Sequence, residues 1–157
     1  MPNWCEGTLK VRGSFENVRN FILNGLSEPD TAFLIRKPEE PFLKIWDDTE
    51  NCFEAEIRRT CYINGTRRGF IEESYLDIYK EDDCSILLLN AKFAWDILAE
   101  QLWEICKEFS IDMKITAFER GAECVRDVEV VNGEITCNKA TTYDDYQWEC
   151  PCPLMGG

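Results

Sequence analysis

Two Asn-Gly dipeptides, Asn64-Gly65 and Asn132-Gly133, do most to limit what this chain can fold into. Each stands between runs of alternating apolar and polar residues, and Asn-Gly tolerates positive φ at both central positions of a tight hairpin turn. The spacing predicts one hairpin over residues 57–71 and a second with strands Val125–Val131 and Glu134–Thr142. With a two-residue turn at 64–65, Ile63 opposes Thr66, Tyr62 opposes Arg67 and Cys61 opposes Arg68. Ser74–Tyr79 and Ser85–Phe93 read as another strand pair joined by Lys80-Glu81-Asp82-Asp83. The continuous apolar run Ile86–Leu89 predicts a central strand covered on both faces.

Helical spacing occurs twice. Asn3–Val11 alternates as a strand, Gly13-Ser14 stops it, and Ser14 is suited to cap a helix carrying Phe15, Val18, Phe21, Ile22 and Leu26, with Gly25 at its end. Leu98, Leu102, Ile105, Cys106 and Phe109 form one apolar stripe over Asp96–Phe109, and Ile111–Phe118 then alternates again. Two helices that each bury one stripe against one sheet predict an α+β fold. The arrangement expected is the ferredoxin-like split βαβ, an antiparallel sheet with two helices packed on one face, plus extra β-hairpins. At 157 residues the chain makes one domain. Its expected limits are 1–142, with an irregular, proline-interrupted insertion at 27–56 (Pro29, Pro38, Pro41) and a partly disordered tail at 143–157.

Composition narrows the chemistry. Thirty acidic residues face seventeen basic ones, for a net charge of −13. That balance speaks against direct binding to a nucleic-acid backbone, which needs excess Lys and Arg. There is no histidine, so every Ser-His-Asp triad, Cys-His dyad and histidine metal site is excluded. Nine cysteines are evenly spread, and the opening MPNWCEG has neither the basic nor the apolar region of a signal peptide. The thiols are therefore expected reduced and mostly buried, in the cytoplasm. Cys150-Pro-Cys152 is the one close pair and lacks the second pair that a structural zinc site uses. No run approaches the ~20 apolar residues of a membrane span. The expectation is a non-enzymatic monomer or homodimer with no metal, cofactor or membrane partner.

Charge is strongly segmented. Residues 47–56 carry five acids and no base, among them Asp47, Asp48 and Glu50. Residues 72–83 carry six acids, among them Glu72, Glu73, Asp82 and Asp83, and one lysine. Between them lie Arg58, Arg59, Arg67 and Arg68 with no acid. Three readings follow. The arginines compensate neighbouring carboxylates across strands. Alternatively they clamp the phosphate of a nucleotide with Tyr62 stacked beside them. Or the acidic runs stand in for nucleic-acid phosphates on a surface that binds a basic protein.

The opening MPNWCEGTLKVRG, with Pro2, Asn3, Trp4, Cys5 and Gly13, resembles the YubB-type ferredoxin-like family of phage, plasmid and mobile-element proteins. A second zone, 90–135, follows the same family's order through Phe93, Trp95, Glu119, Gly121 and Gly133. The middle, EIRRTCYINGTRRGFIEES, departs from the family's Trp-Gly-x-Lys-Trp segment. The resemblance implies a ferredoxin-like fold in a bacterial cell carrying a mobile element. That setting, taken with the absent catalytic constellation and the dense acidic runs, leads to the expectation of an accessory protein that binds a host protein, such as a defence factor, and inhibits it.

Overall fold

The opening alternation forms β1 (Trp4–Gly13), which buries Cys5, Leu9 and Val11 completely and leaves Thr8, Lys10 and Arg12 in solvent. This is a computed structural model, and it describes residues 3–29 and 40–157. Ser14 ends β1 and caps α1 (Phe15–Asn20): its Oγ accepts the Asn17 N–H at 3.2 Å. The helix widens into a π-type turn, Phe21–Gly25, that seats Phe21 edge-on against Phe109 with centroids 5.6 Å apart. Gly25 lies beneath that contact, where a Cβ would come within 2.5 Å of the Phe21 ring.

The remaining elements are β2 (Leu26–Ser27), β3 (Leu43–Asp48), β4 (Cys52–Ile57), β5 (Cys61–Ile63), β6 (Gly69–Ile71), β7 (Tyr75–Tyr79), β8 (Ser85–Ala94), α2 (Ala99–Phe109), β9 (Asp112–Glu119), β10 (Cys124–Val131), β11 (Glu134–Thr142) and α3 (Tyr146–Glu149). Eight strands form one sheet in the order β11-β10-β9-β1-β8-β6-β5-β2, and β3-β4-β7 form a second, with every pairing antiparallel. Phe15 and Val18 of α1 and Leu102 and Ile105 of α2 pack on the inner face of the large sheet with Leu9, Leu87 and Ile115. Phe53, Ala55, Leu76 and Ile78 of the small sheet join the same core.

The expected ferredoxin-like α+β fold is therefore corrected. The described residues make a mostly antiparallel β protein of eleven strands in two sheets, with α-helices of six, eleven and four residues. The cause lies in the segment read as an irregular insertion. Cys52–Ile57 alternates, with Phe53, Ala55 and Ile57 buried, and β3 pairs beside it. Residues 30–39 of that insertion lie outside the described residues. The new sheet also captures β7: Phe53 opposes Ile78 and Ala55 opposes Leu76, so β7 does not pair with β8 as its sequence neighbour.

Two turns of the same dipeptide type diverge. At Asn132-Gly133 both residues have positive φ (51° and 75°) and Val131 opposes Glu134, as the spacing predicts. At Asn64-Gly65 the expected register fails, and Tyr62 opposes Phe70 while Cys61 opposes Ile71. Residues 64–68 form a longer loop held by the buried Thr66, whose hydroxyl donates to the Ile63 carbonyl at 2.6 Å and accepts the Gly69 N–H at 3.0 Å. Positive φ moves to Gly65 (83°) and Arg68 (55°), while the Asn64 amide donates to the Asn24 carbonyl at 3.1 Å.

The strand expected to be covered on both faces is covered on one. Leu87 and Leu89 are buried, but Ile86 and Leu88 of β8 are 55% and 58% exposed on the outer face of the large sheet. One end of that face is occupied by the segment read as a partly disordered tail. There Tyr146 and Cys150 pack on Phe118 and Val125, the Gly156 N–H donates to the Glu6 carboxylate at 3.2 Å, and the Gly157 N–H donates to the Trp4 carbonyl at 3.0 Å. At the opposite edge of the sheet from β2, β11 pairs with β10 alone among the described residues, and most of its side chains are exposed. No helix among the described residues is long and apolar enough to cross a membrane.

Candidate functional site

The outer face of the small sheet is built by two alternating strands. Burying Phe53 and Ala55 turns Cys52, Glu54 and Glu56 outward on β4, and burying Leu76 and Ile78 turns Tyr75, Asp77 and Tyr79 outward on β7. In register, Glu54 of the central strand opposes Asp77 on one side and Asp47 of β3 on the other. Three carboxylates thus stand in one row across three strands, where directly opposed like charges repel. None of the three forms an ion pair among the described residues.

Aromatic side chains frame the row. The Tyr75 and Tyr79 hydroxyls both donate to the Glu54 carboxylate, at 2.7 and 3.0 Å. These bonds hold Glu54 below its ordinary carboxylate range. The same bond to Glu54 pushes the Tyr75 phenol up to about 12 and raises Tyr79 as well. Trp46 of β3 is 57% exposed, with the Lys44 ammonium 3.7 Å from its ring centroid. Tyr75 and Tyr79 are 44% and 53% exposed. Desolvation raises the Cys52 thiol beside this row, and the nearby Glu54, Asp47 and Asp77 carboxylates raise it further. Among the described residues no three such side chains converge on a metal position, so the acids form a strip and not a chelate.

The residues singled out by sequence are scattered by the fold. Of the acids, only Asp47 joins the row. Asp48 faces α1 and takes a two-pronged bond from Arg19, at 2.6 and 2.5 Å, which lowers its pKa. Glu72 pairs with Lys92, and the Glu73 carboxylate accepts the Asn90 N–H at 2.8 Å. Glu50, Asp82 and Asp83 sit exposed in loops. The four arginines do not share one hairpin face. Arg58 and Arg59 lie before β5, where Arg58 pairs with Glu40 and Glu56 and Arg59 with Glu28. Arg67 and Arg68 are exposed in the loop after β5. Tyr62 donates its hydroxyl to the Thr66 carbonyl and packs edge-on against Phe70. Compensation by carboxylates, the first of the three readings, describes Arg58 and Arg59.

Sequence reasoning counted Glu54 and Asp77 only as members of the two acidic runs, read Trp46 as a residue that has to pack, and did not single out Tyr75 and Tyr79. The period-two pattern Tyr75-Leu-Asp77-Ile-Tyr79 carried a signal for one outward face, but its partner strand was not visible. All nine cysteines are free: four are buried, four are half-buried and Cys152 is exposed. Burial pushes the Cys5, Cys61 and Cys106 thiols up to about 12. No family model matches the chain, and no curated protein and no solved structure is found to be similar to it.

Proposed function

We propose that this chain acts by binding, and that the outer face of β3, β4 and β7 docks onto a basic protein surface of the kind that otherwise holds nucleic-acid phosphates. The observation that carries this reading is the row Asp47–Glu54–Asp77, which forms no ion pair among the described residues and is set among exposed aromatic rings. A cationic partner would relieve the repulsion that the free protein holds in this row, and Trp46, Tyr75 and Tyr79 would supply the buried anchors that interfaces favour. The net charge of −13 adds long-range attraction toward such a partner. The resemblance of the opening residues to mobile-element proteins supports a host protein, such as a defence factor, as the target, with inhibition as the outcome.

The test is capture from a bacterial host lysate with the intact chain and with the triple variant Asp47→Asn, Glu54→Gln, Asp77→Asn. The expected result is a basic protein retained by the first, released by raised salt and missing from the second. Equal retention by both, or retention insensitive to salt, would overturn the reading.

A further inference from the structure

Residues 58–60 and 72–74 are the links that carry the chain between the small and large sheets, and they wall a cleft of about 640 Å³. Its floor is the outer face of the large sheet. There the Trp4 and Phe70 rings meet edge to face with centroids 5.8 Å apart, and the Lys92 ammonium lies 5.3 Å from the Trp4 centroid. Arg58 and Arg59 stand in the wall. Three cations and two aromatic rings therefore share a concavity within the ~300–1,000 Å³ range of small-molecule sites.

Each cation is already held by the protein's own acids. Lys92 pairs with Glu72, Arg58 with Glu40 and Glu56, and Arg59 with Glu28 while also donating to the Glu40 carbonyl at 2.7 Å. The Glu40 side chain is 71% exposed and that of Glu72 46%, and ion pairs so open to water are weak. They fix the cations in place and yield to a stronger anion. A phosphate carries more charge than a carboxylate and matches the arginine fork.

We propose that this cleft binds a planar ring bearing a single phosphate, with the size and chemistry of a nucleoside monophosphate. The ring lies against Trp4 and Phe70, and the phosphate replaces Glu40 on Arg58 and Glu72 on Lys92. A longer nucleic acid is disfavoured, because its backbone would run out over a chain with a net charge of −13. This site is separate from the acidic face of the small sheet, so either can fail without the other.

The experiment is calorimetric titration of the full chain with AMP, GMP, CMP and UMP, with adenosine and ribose 5-phosphate as probes lacking one half of the ligand. At least one monophosphate is expected to bind at submillimolar concentration, and both half-ligands more weakly by about tenfold or more. Arg58→Ala with Lys92→Ala should weaken the monophosphate by about tenfold or more, while Arg67→Ala with Arg68→Ala leaves it unchanged. Glu40→Gln with Glu72→Gln should strengthen binding, a gain that misfolding would not produce. Circular dichroism checks that each variant is folded. The proposal is overturned if no monophosphate saturates the protein at millimolar concentration. It is equally overturned if ribose 5-phosphate binds as well as the nucleotides, or if the Arg58–Lys92 and Arg67–Arg68 double variants weaken binding equally.

Discussion

The two outward sheet faces differ in how far their opposed charges are compensated. On the large sheet Arg12 opposes Asp112 with a 2.6 Å contact, and Lys114 opposes Glu129 at 2.8 Å. Lys10 also opposes Lys114, but the Lys114 ammonium is compensated by Glu129. Across the small sheet Lys44 opposes Glu56, but Asp47, Glu54 and Asp77 meet like with like and none of the three forms an ion pair among the described residues. Both are antiparallel ladders, but β3 adds a bulge between Ile45 and Asp47, so the difference lies in the side chains and in the register that sets Asp47 opposite Glu54. A face whose opposed charges are ion-paired has little to gain electrostatically from a partner. A face whose charges repel is relieved by one, and that contrast points to the smaller sheet as the docking face.

The contrast can be broken by moving charge from one face to the other. The largest effect is expected on complex formation. The triple neutralisation of the acid row, or Trp46→Ala alone, should cost about 2 kcal/mol or more of partner affinity, measured by calorimetry with the captured protein. The control Ile86→Ser, on the outer face of the large sheet, should leave affinity unchanged.

A smaller effect is expected on stability, with opposite signs on the two faces. Arg12→Glu places like charges across from Asp112 and should lower the unfolding free energy by about 1 kcal/mol or less, because the pair is solvent-screened. Asp77→Asn removes a like-charge contact and should raise it by about 0.2–0.5 kcal/mol. Urea midpoints read both. If both variants destabilise alike, the two faces are not electrostatically different.

The finest probe is titration. Glu54 ionises below its ordinary range because Tyr75 and Tyr79 donate to it. Its contribution is present above the ordinary carboxylate range and is lost as pH falls through the lowered value. Tyr75 is raised, so its contribution holds below the ordinary tyrosine range and is lost as pH climbs through about 12. Phenolate absorbance should show this delayed step, and Glu54→Gln should return it toward the ordinary value of about 10. Thiol labelling gives a matching order in the native chain: Cys152 reacts first, and Cys5, Cys61 and Cys106 react last.

Local features were legible in the sequence where chemistry and position coincide. Ser14 caps a helix, Asn132-Gly133 turns a hairpin, and the stripe from Leu102 to Phe109 is buried on α2. Asp96–Leu98 stays outside that helix because the Asp96 carboxylate accepts the Ile97 N–H at 2.7 Å and a bond from Arg126. What sequence could not supply was strand partnership. Nothing in Tyr75–Tyr79 says that it leaves its neighbour β8 for β4, and that choice decides both the fold class and the acid row. The misread loop at 64–68 has the same origin. One buried threonine hydroxyl, bonded to Ile63 and Gly69, outweighs a dipeptide preference, and the Arg67 N–H next to it donates across to the Gln101 side chain of α2.

β11 leaves a consequence for how the protein behaves in bulk. Its nine residues close the large sheet with one row of backbone donors and acceptors unclaimed by any described strand. Such a row is a template for sheet growth from molecule to molecule, and the threonines and Ile135 along it are good β-formers. Lys139 and Glu134 are the only charges on that strand. A concentrated sample in which both are replaced by apolar residues is where fibrillar association would begin.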